Sequence, residues 1–148
     1  PARPMRVLAA EDNRTNRLVF SSMLKGLTID LHFAEDGQQA VDLYSEIRPD
    51  IVFMDISMPG MDGTEATSRI RQLEQTTGRH VPIIAMTAHA LGSDESDILS
   101  AGLDHYMTKP LRKDSIIDHI RKAMPEGALD PCTPEAPSPP PQTQVASA

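Results

Sequence analysis

Five short apolar runs, separated by stretches of helical periodicity, constrain this chain more than any other feature of its sequence. The runs are Met5–Ala10 (MRVLAA), Ile29–Ala34, Ile51–Met54 (IVFM), Val81–Met86 (VPIIAM) and Asp104–Thr108. Runs that are apolar on both faces suit central parallel strands, because crossover helices cover such a sheet on both sides. Candidate helices fill the gaps at Asn13–Gly26, Gln38–Ile47, Thr64–Thr77, Ser93–Ala101 and Arg112–Met124. Gly26, Gly78 and Gly102 stand where C-terminal stops belong, and Arg48-Pro49 ends the second helix. In the first helix Val19, Phe20, Met23, Leu24 and Leu27 form the stripe expected to face the sheet; in the last, Ile116, Ile117, Ile120 and Met124 do so. These βα units predict an open, doubly wound α/β sheet, and right-handed crossovers leave few topologies. Function in such sheets gathers beyond the carboxyl ends of the strands.

Composition divides the chain in two. Residues 125–148 hold seven prolines, no aromatic, no Lys or Arg, and the acids Glu126, Asp130 and Glu135. That stretch has too little apolar surface to offset the entropy of ordering, so a disordered acidic tail is expected there. Residues 1–124 are the domain, with 14 bases against 18 of the chain's 21 acids. A net charge of −7 argues against nucleic acid or an anionic membrane as the partner. No run of about 18 apolar residues is present to span a bilayer. Cys132 is the single cysteine, which excludes an internal disulfide and a Cys-based metal cluster. The absence of Trp, with two Tyr and three Phe, disfavours ring-stacking sites for flavins or single strands. A soluble protein of a reducing, cytoplasmic compartment is expected.

The first run ends in Glu11-Asp12 and the third in Asp55. If both strands are central and parallel, three carboxylates converge at one edge. One strand-end acid is ordinarily a solvated cap; an adjacent pair beside a third acid is better read as a site. Their mutual repulsion calls for a cation or raised pKa values. Oxygen donors alone point to a hard ion such as Mg²⁺. Lys109, closing the fifth run before Pro110, would reach the same edge and could hold a phosphoryl group. Thr87, at the end of the fourth, could donate a hydrogen bond to an anion over Asp55.

In chain order, Glu11-Asp12-Asn13, the segment from Asp55 to Gly63 (DISMPGMDG), Thr87-Ala88 and Lys109-Pro110 resemble the receiver domain of two-component response regulators. The resemblance spans about residues 5–124 and implies a flavodoxin-like fold with strands in the order 2-1-3-4-5. It implies that Asp55 is the phosphoacceptor and that Asp12, Asp55 and the Ser57 carbonyl ligate Mg²⁺, with Glu11 acting through water. Lys109 and Thr87 match the positions that bind phosphoryl oxygens, and Tyr106 matches the switch aromatic. Ser57 and His89 stand where side chains tune the lifetime of the acyl phosphate, although His89 reads better as an ordinary loop residue. Such a domain catalyses only its own phosphorylation and dephosphorylation.

The run Asp12-Asn13-Arg14-Thr15-Asn16-Arg17 and the segment Met107–Leu111 resemble receivers of hybrid sensor histidine kinases. The chain starts at Pro1 without an initiator Met and carries no DNA-binding domain, so a fragment of a larger parent, which a membrane anchor could hold, is expected, with a stand-alone regulator as the alternative. Its partners would be a phosphohistidine donor and a histidine phosphotransfer domain, with no nucleic acid and no direct membrane contact. Leu18 falls opposite the apolar stripe of the first helix, and Arg14, Leu18 and Lys25 are the expected docking residues. Two other classes fit these residues less well. An Asp-nucleophile, Mg-dependent phosphatase needs a second carboxylate two residues on, where this chain has Ser57. A flavodoxin-like electron carrier needs a phosphate-cradling loop where Glu11-Asp12 would repel phosphate.

Overall fold

A computed structural model describes residues 4–56, 63–87, 100, 102–108 and 111–124. The elements run β1 (Met5–Ala10), α1 (Arg14–Met23), β2 (Ile29–Ala34), α2 (Gly37–Ile47), β3 (Ile51–Asp55), α3 (Gly63–Thr77), β4 (Ile83–Thr87), β5 (His105–Thr108) and α4 (Lys113–Lys122). The strands form one parallel sheet in the order β2-β1-β3-β4-β5. This is the doubly wound sheet expected from the apolar runs. The candidate helix Ser93–Ala101 lies outside the described residues except for Ser100, which is helical.

Strand alternation sorts the core into two layers. Leu8, Ala10, Val52, Met54, Ile83 and Ala85 face α2 and α3, where Ala40, Tyr44, Ala66 and Ile70 meet them. Met5, Val7, Ala9, Ile51, Phe53, Ile84 and Met86 face Phe20 of α1, its capping residue Leu24, and Ile116 and Ile120 of α4. Phe20 is wedged edge-on against Phe33 and Phe53. Each buried aliphatic chain of this kind contributes roughly 1.5–3 kcal/mol relative to exposure.

Local signals set the helix starts. Asn13 caps α1 by accepting the Asn16 N–H at 3.0 Å, and Asp36 caps α2 by accepting that of Gln39 at 2.8 Å. Three expectations need correction. Val19 is exposed: it sits about 100° from Phe20, on the flank of a stripe centred on Phe20, Met23, Leu24 and Leu27. Met124 is also exposed, because α4 ends at Lys122. The fourth strand begins at Ile83 rather than Val81, since Pro82 has no N–H; its carbonyl still accepts from Val52 N at 2.9 Å.

At the amino end of the sheet, Arg71 of α3 ties several segments together. One terminal guanidinium nitrogen donates to Glu74 Oε1 at 2.7 Å and to the Val81 carbonyl at 2.8 Å. The other meets Asp104 Oδ2 at 2.8 Å, and Nε donates to the Gly102 carbonyl at 3.0 Å. Glu74 Oε2 accepts from the Tyr44 hydroxyl at 2.9 Å and from Val81 N at 2.7 Å. Asp104 also accepts from Ile83 N at 2.8 Å and stands 2.7 Å from His80 Nε2. Burial, then the hydrogen bond to Glu74, push the Tyr44 phenol up to about 12. Burial alone would raise the Asp104 carboxyl, but His80, the Ile83 N–H and Arg71 outweigh it and hold Asp104 below the usual range.

Candidate functional site

Parallel register brings the strand-end acids together. Ala10 pairs with Met54, so the next residues, Glu11 and Asp55, lie side by side on adjacent strands. Asp55 pairs in turn with Met86, which sets Thr87 one step further along β4. The chain stays in ladder geometry past both acids: Glu11 N donates to the Ala34 carbonyl at 2.9 Å, and Ile56 N to that of Met86 at 3.1 Å. Carboxylate oxygens of Glu11, Asp12 and Asp55 lie within 4.8 Å of one another. Glu11 is 4% exposed and Asp55 2%, whereas Asp12 faces solvent. An ion entering from solvent would therefore meet Asp12 first. Close ionised carboxylates repel by on the order of 1–3 kcal/mol per pair. The donor set is all oxygen, with two of the acids buried and one open to water, and it fits a small hard dication that keeps part of its hydration shell.

Two supports of this site were not read from the sequence. The Arg17 guanidinium donates to the backbone carbonyls of Glu11 at 2.8 Å and Asp12 at 3.1 Å, while Asn13 N donates to Glu11 Oε2 at 3.2 Å. Arg17 thereby fixes the backbone that carries both acids. Its signal was its place one turn after the capping Asn13, which aims a long side chain back at the strand end. The other support is Gly63, the first residue of α3: a Cβ there would collide with the Asp55 carbonyl and lie 2.9 Å from Met54 Cγ and from Ile56 Cα. Only glycine lets the helix start so close to the strand that carries Asp55.

Thr87 is buried at the end of β4 and pairs with Thr108. Tyr106 sits half-buried on β5, packed against the layer beneath α2 and α3. Ser57, His89, Lys109 and Pro110 lie outside the described residues. Arg14, Leu18 and Lys25 are all exposed on or just after α1; Leu18, at 61%, lines a hollow with Ser21, Lys25, Leu27 and Leu31. No helix among the described residues is long and apolar enough to cross a membrane.

Comparison with known proteins agrees with this geometry. The family model for the response regulator receiver domain matches residues 7–121. Hybrid signal transduction histidine kinase I of Dictyostelium discoideum is 44% identical over 113 residues, which cover 73% of this chain and 6% of that protein. The chain thus corresponds to a small part of that relative's length. Among solved structures, the magnesium-bound receiver domain of sensor histidine kinase PA1611 from Pseudomonas aeruginosa superposes with a TM-score of 0.72 at 37% identity, covering 80% of this chain and 96% of that one. A chain from the Saccharomyces cerevisiae co-crystal of Ypd1, a histidine phosphotransfer protein, with the receiver domain of Ssk1 gives a TM-score of 0.75 at 28% identity, covering 86% and 97%. Sheet order, the three converging carboxylates and these matches lead to one assignment: the chain belongs to the response regulator receiver domain family.

Proposed function

We propose that this domain accepts a phosphoryl group from a phosphohistidine onto Asp55, as one station of a phosphorelay within a hybrid histidine kinase. The functional unit is residues 1–124, on the cytoplasmic side of its parent, with residues 125–148 a tail outside it. The observation that carries this reading is the convergence of Glu11, Asp12 and Asp55 within 4.8 Å at the carboxyl end of the sheet. The magnesium-bound Pseudomonas receiver and the yeast co-crystal support the choice of ion and partner.

The Asp55 carboxylate attacks phosphorus in line; the P–N bond breaks as the O–P bond forms, and the imidazole leaves with the bonding electron pair. Burial of Asp55 keeps bulk water from the acyl phosphate it forms. Asp12 and Asp55, with the Ser57 carbonyl and Glu11 through water, would hold Mg²⁺, which when bound offsets charge on the phosphoryl oxygens. Thr87 and Lys109 receive the remaining oxygens, and Tyr106 turns as Thr87 moves toward them. Ser57 and His89, two residues beyond Asp55 and Thr87 in sequence, would tune the lifetime of the acyl phosphate. Arg14, Leu18 and Lys25 form the contact for a helical, acidic phosphotransfer partner.

Incubation with a small phosphodonor and Mg²⁺ tests the reading. One phosphoryl group should be added, sensitive to hydroxylamine, and Asp55→Asn should stay unmodified. Label recovered on serine, threonine or histidine overturns the assignment.

A further inference from the structure

A second cluster of ligating side chains lies where β5 meets α4. His105 and His119 hold their rings with centroids 5.5 Å apart and planes inclined by 39°. The pair sits on an edge strand, separated by β4 from the strand that carries Asp55. His105 is exposed and His119 half-buried, so one side of the pair is open to solvent. Beside His119 a hollow of about 460 Å³, lined by Thr108, Arg112 and Ser115 among others, leaves room for water.

The ring separation is informative. Zn–N bonds of about 2.0–2.1 Å put each ring centroid about 3.2 Å from a shared ion, and a tetrahedral angle then separates the centroids by about 5.2 Å. The observed 5.5 Å differs from this by less than a side-chain adjustment. We propose that His105 and His119 form a second metal site, a two-imidazole seat for a divalent ion of the zinc class, with water completing the tetrahedron. Ligand chemistry separates it from the first site: imidazole suits zinc, copper and nickel, whereas carboxylate oxygens suit magnesium.

The Asp118 carboxylate is engaged by Lys122 Nζ at 3.0 Å. Burial first, then the charge of His105, hold His119 below the ordinary histidine range, which favours the neutral ring that a metal needs. An ion here would tie the edge strand to the last helix, one residue from Tyr106.

Zinc chloride titrated into the full chain in saturating Mg²⁺ tests the site, with histidine ring signals followed by NMR and affinity by calorimetry. Of the five histidines, His105 and His119 should shift together with one equivalent of zinc. His105→Gln and His119→Gln should each weaken binding by about tenfold or more, since losing an outer partner of a ligand alone costs roughly 10–100-fold. Asp12→Ala should leave zinc affinity unchanged. Rings of His105 and His119 that do not respond up to millimolar zinc overturn the proposal. So does a zinc affinity that is unchanged in His105→Gln, or that is lost in Asp12→Ala.

Discussion

Glu74 and Asp104, at the amino end of the sheet, are met by Arg71, the Tyr44 hydroxyl, His80 and backbone N–H groups, whereas Glu11, Asp12 and Asp55, at the carboxyl end, are brought up against one another. Both ends gather acids from different elements. At the amino end the fold supplies the opposing donors, so the charges fix the structure. At the carboxyl end it also brings like charges together, an arrangement that a bound cation would relieve. The same chemical group thus serves cohesion at one edge and forms a candidate ion site at the other.

Removing Arg71 should expose that difference most strongly. Arg71→Met leaves Glu74 buried without its cation and is expected to cost about 3–5 kcal/mol in urea or thermal unfolding. Asp12→Asn, which removes a charge from the opposite cluster, should change metal-free stability by no more than about 0.5 kcal/mol, or raise it. Equal losses in the two variants would erase the distinction between the edges.

Magnesium gives the next largest effect. At ten times its dissociation constant, Mg²⁺ should stabilise the native chain by about 1.4 kcal/mol. In Asp12→Asn the thermal midpoint should hardly respond to the ion. A full response there would place the ion elsewhere.

Acid should act through the amino end. Because Asp104 is held below the usual carboxylate range, its contribution is complete above the unfolded value of about 3.9 and is lost as pH falls through the lower folded value. Asp104→Asn should therefore be less stable at neutral pH and lose less on acidification below about pH 4. Parallel acid profiles for the native chain and the variant would remove Asp104 from that role.

The smallest effect on stability belongs to Leu18→Ala. At 61% exposure it should move the midpoint by less than about 0.5 kcal/mol. It should nonetheless slow phosphotransfer from a protein donor and spare the small donor. Equal slowing of both reactions would show damage to the site, and no slowing would free Leu18 from the interface.

How much of this was legible in the sequence follows from the distances involved. β1 and β2 were read to the residue, because turn residues and charges bound their apolar runs. The convergence of Glu11, Asp12 and Asp55 was legible because parallel strands have one carboxyl edge, so strand ends alone place them. The Arg71 cluster was not: its partners stand 3, 10, 31 and 33 residues away, with no periodicity to link them. Arg17 looks like one polar residue among several on α1, its place one turn after Asn13 being the single pointer back to the strand end. Val19 shows the limit of a helical stripe, whose centre is set by the helix and whose margin is set by the neighbouring layer.

Gly63 has a consequence for how the chain could vary. Its N–H donates to the Ile56 carbonyl at 3.3 Å, and its α-carbon leaves no room for a methyl group against the Asp55 backbone. Ile56 and Gly63 thus meet across the connection between them. Lengthening such a connection leaves its anchor points in place, and each doubling of length costs only about 0.6 kcal/mol in closure entropy. The entropy of a longer connection between Ile56 and Gly63 is thus a smaller cost than the clash a single added carbon atom would bring at Gly63.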